Sequence, residues 1–201
     1  MLKKKSLGQN FLTSKPIARS IAEAGGANND EFILEIGPGE GALTEEILKI
    51  SNKVILVEKD HRLIPFLQEK FKSEISLGKL KLIEEDIVNF DISKILNKEE
   101  KYKVIANIPY YITGQIIRKF LEEEKQPDSM TLLVQKEVAD RILARDGKES
   151  LMSLSVKIFG EPKVIRRVSR GAFNPVPSVD SAVININHIS KSKLEDVSAE
   201  H

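Results

Sequence analysis

The sequence predicts an α/β fold, a mostly parallel sheet covered by helices on both faces and finished by an antiparallel hairpin at one edge. Five short apolar runs alternate with helix-spaced apolar residues through most of the chain. From about residue 160 that alternation stops, and two further runs follow, joined by a Pro-containing loop. A length of 201 residues, 41% of them hydrophobic, suits one substantial domain that buries a core without disulfides.

The elements follow in chain order. Ser14-Lys15-Pro16, then Ile17, Ala18, Ile21 and Ala22, stopped by Gly25-Gly26, read as a short amphipathic helix. A hydroxyl residue caps it, Pro sits in its first turn and Gly ends it. Strands are predicted at 32–36, 53–57, 80–84, 102–106 and 130–134. Between them 43–50, 63–71 and 116–121 carry helix-spaced apolar residues, and Val138, Ile142 and Leu143 begin another helix after the fifth strand. Short β runs separated by helices imply parallel pairing. Val164-Ile165 and residues 183–186 supply the closing pair, and the loop 170–180 between them holds Pro175 and Pro177, so it is not helical throughout. The polar stretch 190–201 predicts a disordered tail behind a domain spanning 1–189.

Composition excludes several classes. With no Cys there is no disulfide scaffold and no thiolate zinc site. His61, His188 and His201 are too scattered to suggest a metal centre, so no metal is expected. Lys3-Lys4-Lys5 is not followed by the apolar stretch of a secretory signal, and no apolar segment approaches the ~20 residues of a membrane span. A cytoplasmic protein, off the membrane and monomeric, is the expectation. Net charge is only +1, yet residues 136–170 hold nine Lys/Arg against five Asp/Glu. Arg166, Arg167 and Arg170 are therefore candidates for a phosphate-facing patch; the alternative is an ordinary solvated face.

Three candidate ligand features sit on three consecutive strand ends. Glu35-Ile36-Gly37-Pro38-Gly39-Glu40-Gly41 follows the first strand and opens a helix. Glycines there, Gly37 and Gly39 above all, let the backbone turn sharply and approach a ligand. The spacing departs from the dinucleotide fingerprint, which argues against a pyrophosphate. Glu58 ends the second strand, 21 residues after Gly37, where a carboxylate accepts from both hydroxyls of a ribose. Asp86 lies just past the third strand, placed to accept from an adenine amine with Ile87 against the ring. Each acid alone is more often a surface residue; together they predict a nucleoside-containing ligand.

The fourth strand runs into Asn107-Ile108-Pro109-Tyr110. Asn and Pro are turn residues, but a turn alone gives no role to an amide and an aromatic on either side of Pro. The Asn107 oxygen and the Ile108 carbonyl are two acceptors for the two N–H groups of a ring amine, whose lone pair would then be freed towards an electrophile. Tyr110 would stack on a base taken out of its helix. Phe173, in the Pro-rich loop, is a candidate for the second stacking face, or else a core plug.

With these residues assembled, the sequence resembles the small-subunit rRNA adenine N6,N6-dimethyltransferase family from about Leu7 to Ile186. The matching pieces are Leu7-Gly8-Gln9-Asn10-Phe11-Leu12, Glu35 to Thr44, Asn107-Ile108-Pro109-Tyr110-Tyr111-Ile112, Gln135-Lys136-Glu137-Val138-Ala139 and Phe173 to Ser181. The resemblance implies a class I methyltransferase, Rossmann-like fold with seven strands, S-adenosyl-L-methionine as cofactor, and small-subunit rRNA or the immature small subunit as partner. It implies dimethylation of two neighbouring adenosines near the rRNA 3′ end. It also implies that Gln9, Asn10 and Leu12 lie over the cofactor, that Gly37, Glu58, Asp86 and Asn107 contact it, and that Asn107, Tyr110 and Phe173 handle the base. Members usually continue into a small helical domain; this chain ends about twenty residues after the Pro-rich loop and is expected to lack it.

Three rivals remain at this stage. A large-subunit rRNA adenine methylase of the macrolide-resistance type shares the fold and Asn-Ile-Pro-Tyr, but matches Gln135 to Ala139 less well. A non-catalytic RNA-binding assembly factor would have no need of Glu58, Asp86, Asn107 and Tyr110 together. A nicotinamide oxidoreductase lacks the glycine spacing and gives Asn107 to Tyr110 no role.

Overall fold

The computed structural model describes residues 10–26, 28–145 and 147–191. The leading run through Gln9 and most of the expected tail lie outside them. A two-residue strand, β1 (Phe11–Leu12), precedes helix α1 (Lys15–Ala24). Then come β2 (Phe32–Ile36), α2 (Ala42–Ile47), β3 (Val54–Glu58), α3 (Ile64–Lys70), α4 (Lys72–Ser76), β4 (Leu80–Glu84), β5 (Tyr102–Asn107), α5 (Thr113–Glu122), β6 (Ser129–Gln135) and α6 (Lys136–Ile142). Helix α7 (Leu151–Phe159), β7 (Glu161–Val168), β8 (Phe173–Asn174) and β9 (Ser181–Asn187) complete the order.

Seven strands form one sheet in the order β4-β3-β2-β5-β6-β9-β7. The five from β4 to β6 are parallel; β9 pairs antiparallel with both β6 and β7. The α/β sheet with an antiparallel edge is thus as expected.

Alternation along each central strand feeds two apolar layers, because successive side chains leave a strand on opposite faces. Ile33, Leu56, Ile105, Leu133 and Val183 pack against α1, α2 and α3. Leu34, Val57, Ala106, Leu132 and Ile184 pack against α5, α6 and α7. Both layers are buried, which is why the parallel strands read as near-continuous apolar runs.

Two local expectations need correction. Ser14 stands at the N-cap of α1, but its side chain makes no capping bond; its carbonyl instead accepts from Ile17 and Ala18. The helical run expected at 63–71 is α3, and a second short helix, α4, follows it after Phe71. The tail does not begin at 190: Ser190 donates its N–H to the Phe159 carbonyl at 2.9 Å, and the Lys191 ammonium reaches the Glu122 carbonyl at 3.1 Å. Two features were not anticipated, the β1–β8 ladder and helix α7.

Candidate functional site

The first strand of the sheet, β2, has β3 on one side and β5 on the other. Connections therefore diverge there, and the carboxyl ends of β2, β3, β4 and β5 open a crevice of the kind in which such sheets bind ligands. One cavity is lined by Asn10, Leu12, Gly37, Gly39, Glu58, Asp86, Ile87, Asn107, Ile108, Pro109 and Tyr110. The structure thus brings every described candidate for cofactor or amine together. Gln9 lies outside the described residues.

Gly37 and Gly39 have φ of +60° and +59°, a left-handed conformation that favours glycine. They differ in what their missing side chains leave room for. A Cβ on Gly37 meets nothing within 4 Å, so it would stand in the open cavity; one on Gly39 would lie 2.8 Å from the Phe11 ring. Phe11 is pinned over the glycine turn because β1 pairs with β8, Phe11 opposite Asn174 and Leu12 opposite Phe173. The turn and the β1 segment are therefore in contact at Gly39, and the open space lies beside Gly37.

Glu58 ends β3 almost wholly buried. Its two oxygens accept from separate backbone donors, Asp60 N–H at 2.8 Å and Gly39 N–H at 3.3 Å. Burial raises its pKa and these hydrogen bonds pull it back, so the carboxylate is held in one orientation with lone pairs left for a diol. Asp86 follows β4, where Oδ1 accepts from Val88 N–H at 3.1 Å and Oδ2 from the Lys59 ammonium at 2.5 Å. Lys59 holds the Asp86 carboxyl below its usual range. An incoming amine must share that carboxylate with Lys59, an adjustment made easy by the lysine's exposure.

The charge of the walls discriminates between ligand classes. Glu35, Glu40, Glu58, Asp60, Glu85 and Asp86 line the cavity against Lys59, His61 and Arg62. Arg62 is moreover spent on a forked pair with Asp60. An acidic cleft suits a cation and repels a pyrophosphate, so the oxidoreductase reading loses its ligand. The glycine cradle, the tethered Glu58 and this charge fit a cationic nucleoside.

At the β5 end, the Asn107 amide nitrogen donates to the Asn10 carbonyl at 3.2 Å. A carbonyl can only accept, so the amide is oriented with its own oxygen turned away from Asn10. Tyr110, in the turn after Pro109, is half-buried, and its hydroxyl pairs with Ser181 of β9 at 2.8 Å. That tether leaves the ring as a wall of the cavity beside the Asn107 amide.

The remaining candidates lie away from the cavity. Phe173 does not line the cavity; it is 3% exposed, packed in the same apolar layer as Leu12 and Val168, and presents no free face to a base. Arg166, Arg167 and Arg170 are exposed, but they do not make one face. Arg166 is opposite Val183 and Arg167 opposite Ala182, residues whose side chains enter different apolar layers. None of the three guanidinium groups has a carboxylate within 4.0 Å among the described residues. Sequence reasoning gave no role to Phe11, Glu35, Asp60 or Ser181. A signal existed for Glu35, a lone charge within the apolar run Phe32–Ile36; a buried polar residue is the informative kind.

The whole chain, residues 1–201, matches the family described as "Ribosomal RNA adenine dimethylase". It is 43% identical over 195 residues to the "Ribosomal RNA small subunit methyltransferase A" of Dehalococcoides mccartyi (strain CBDB1), covering 97% of this chain and 66% of that protein. To the protein of that name in Clostridium botulinum (strain ATCC 19397 / Type A) it is 38% identical, over 94% of this chain and 69% of the relative. The chain therefore spans about two thirds of the length of the curated relatives it matches. Among solved structures, "23S rRNA methyltransferase ErmE" superposes with a TM-score of 0.79 at 29% identity, over 90% of this chain and 71% of that one. A "dimethyladenosine transferase from Plasmodium falciparum" does so with 0.79 at 29%, over 92% and 65%.

Proposed function

This chain belongs to the ribosomal RNA adenine dimethylase family, and from that premise we propose that it transfers methyl groups from S-adenosyl-L-methionine to the N6 amine of two adjacent adenosines near the 3′ end of small-subunit rRNA. The observation that carries the proposal is the convergence of Gly37, Glu58, Asp86 and Asn107 on one acidic cavity with Tyr110 in its wall.

When bound, the sulfonium donor supplies an electrophilic methyl group. The residues of the chain do the rest. Gly37 and Gly39 admit the donor against the backbone, Glu58 holds the ribose hydroxyls, and Asp86 with Ile87 takes the adenine. Asn10 and Leu12 close the site from above. Asn107 Oδ1 and the Ile108 carbonyl accept the two N–H groups of the target amine, drawing its lone pair out of the ring; Pro109 keeps those acceptors on a rigid turn. Tyr110 stacks on the flipped base, worth ~1–3 kcal/mol. No strong general base is required, because the methylated amine is acidic enough to lose its proton to water. Catalysis then rests on positioning and fixed dipoles.

The partner is the rRNA of the immature small subunit, which places the protein in the cytoplasm, in ribosome biogenesis, acting as a monomer. Among the described residues no helix is long and apolar enough to cross a membrane, and no acidic or His cluster would hold a metal. The names of the curated relatives favour the small subunit, whereas the fold is equally like that of a 23S rRNA methyltransferase. Incubation with labelled donor and either undermethylated small subunits or naked large-subunit RNA, followed by mass spectrometry of nuclease digests, separates the two. Dimethyladenosine in the small-subunit digest alone is expected. Label confined to large-subunit RNA would overturn the target, and label in neither would overturn the activity.

A further inference from the structure

Glu35 is 1% exposed, yet it lines the cavity. It lies on β2 in register with Leu56, and like Ile33 it points to the side of the sheet that carries α2. There the Thr44 hydroxyl donates to its Oε2 at 2.7 Å; Oε1 has no hydrogen-bond partner among the described residues. The charged groups that act on it are Glu58 from β3 and Lys70 from α3. Lys70 is already engaged, at 2.7 Å by Glu45 and at 2.6 Å by the Glu40 carbonyl. On the β5 side the cavity residue is the neutral Asn107. Glu35 is thus a buried acid with an acidic neighbour, no cation of its own, and an oxygen left over at the wall of a ligand site.

We propose that Glu35 is the residue by which the cleft tells the cationic methyl donor from its neutral product: it keeps a proton when no positive charge lies over it and releases that proton to solvent when the sulfonium enters. This rests on the reading of the cleft as an S-adenosylmethionine site. The proton balance is simple. The carboxylic acid becomes a carboxylate as the donor binds; once the methyl group has left, the sulfur is a neutral thioether and the carboxylate takes a proton back from water. Donor and product differ there by one charge, so a carboxylate that ionises only under the donor favours it over the product.

Burial, opposed by Thr44 and reinforced by Glu58, pushes the Glu35 carboxyl up to about 8. The sign follows. The donor prefers the ionised form, so below about pH 8 its binding releases a proton and its affinity rises with pH, by up to about tenfold per unit, levelling off above. The affinity of S-adenosylhomocysteine should be flat over the same range.

The test is titration calorimetry of the chain with each ligand at pH 7, in phosphate and in Tris, whose ionisation enthalpies differ. About one proton released per S-adenosylmethionine bound, and almost none with S-adenosylhomocysteine, is the expected result. Glu35→Gln, which matches the protonated acid in shape, should bind the donor with a buffer-independent enthalpy and a smaller preference over the product. The pH series on the unaltered chain stands without the variant. A buffer-independent enthalpy for the donor, equal proton release with both ligands, or undiminished release from Glu35→Gln would each overturn the proposal. Failure of the unaltered chain to bind either ligand would instead overturn the reading of the cleft, and the inference with it.

Discussion

Asn107 shows how a single side chain acquires a role from its hydrogen bonds. An amide has two chemically opposite ends, and which end faces the target decides whether the residue attracts or repels an amine. The Asn10 carbonyl takes the nitrogen end at 3.2 Å, so the oxygen is the end offered to the cavity. Removing the amide should leave the glycine cradle and Glu58 intact. Asn107→Ala is therefore expected to keep donor affinity within a few-fold in calorimetry while turnover falls by ~10²–10³. Asn107→Asp should fare no better, because a carboxylate cannot donate to Asn10 and would lie against its carbonyl. Normal turnover in either variant would remove the alignment role. At this scale the sequence was half legible. Asn107 stood out as an amide beside Pro109, but its partner is a backbone carbonyl 97 residues away, and no side chain marks such a partner.

At the scale of elements, legibility followed length and periodicity. Strands β2, β3, β5 and β6 are apolar because both their faces are covered, and that pattern is visible in the residues alone. The ladder of β1 with β8 escaped because each strand has two residues and neither carries a period. Helix α7 escaped for a different reason. Leu151, Leu154 and Ile158, spaced i, i+3 and i+7, share an exposed face while Met152, Val156 and Phe159 pack on another, so its apolar residues show no single stripe. Its start signal is also unusual, a capping box in which Ser153 replaces the usual Glu or Gln: Ser150 Oγ accepts from Ser153 N–H at 3.1 Å, and Ser153 Oγ from Ser150 N–H at 2.7 Å. Ser150→Ala should cost about 1 kcal/mol in chemical denaturation, with Ser150→Thr restoring most of it. Because α7 contributes nothing to the cavity lining, donor affinity should not change. A loss of donor binding in Ser150→Ala would mean that α7 is coupled to the cleft.

Over the whole molecule, a net charge of +1 conceals a division. Acidic side chains line the cleft, and the excess of Lys and Arg falls between residues 136 and 170, none of which lines it. A separation of this kind would draw a cation and a polyanion to different parts of one surface, as the proposed reaction between a sulfonium and RNA requires. The link between the parts is short: Val168 at the end of β7 is opposite Ser181, and Ser181 holds the Tyr110 hydroxyl. Phosphates lying along β7 would bring a base towards Tyr110. The strand geometry makes this sharper than a patch argument, since Arg166 and Arg167 leave β7 on opposite faces. RNA following one face meets one of them. Binding of a short rRNA hairpin, measured across a salt series, should therefore respond unequally to Arg166→Glu and Arg167→Glu: one variant lowers the slope of log K against log salt by ~0.7 per lost contact, and the other leaves it nearly unchanged. Reversal of Arg170 together with the effective one should flatten the slope further. Unchanged slopes in all three would return these arginines to solvent, and equal losses at Arg166 and Arg167 would show that RNA wraps the edge of the sheet instead of lying along one side of it.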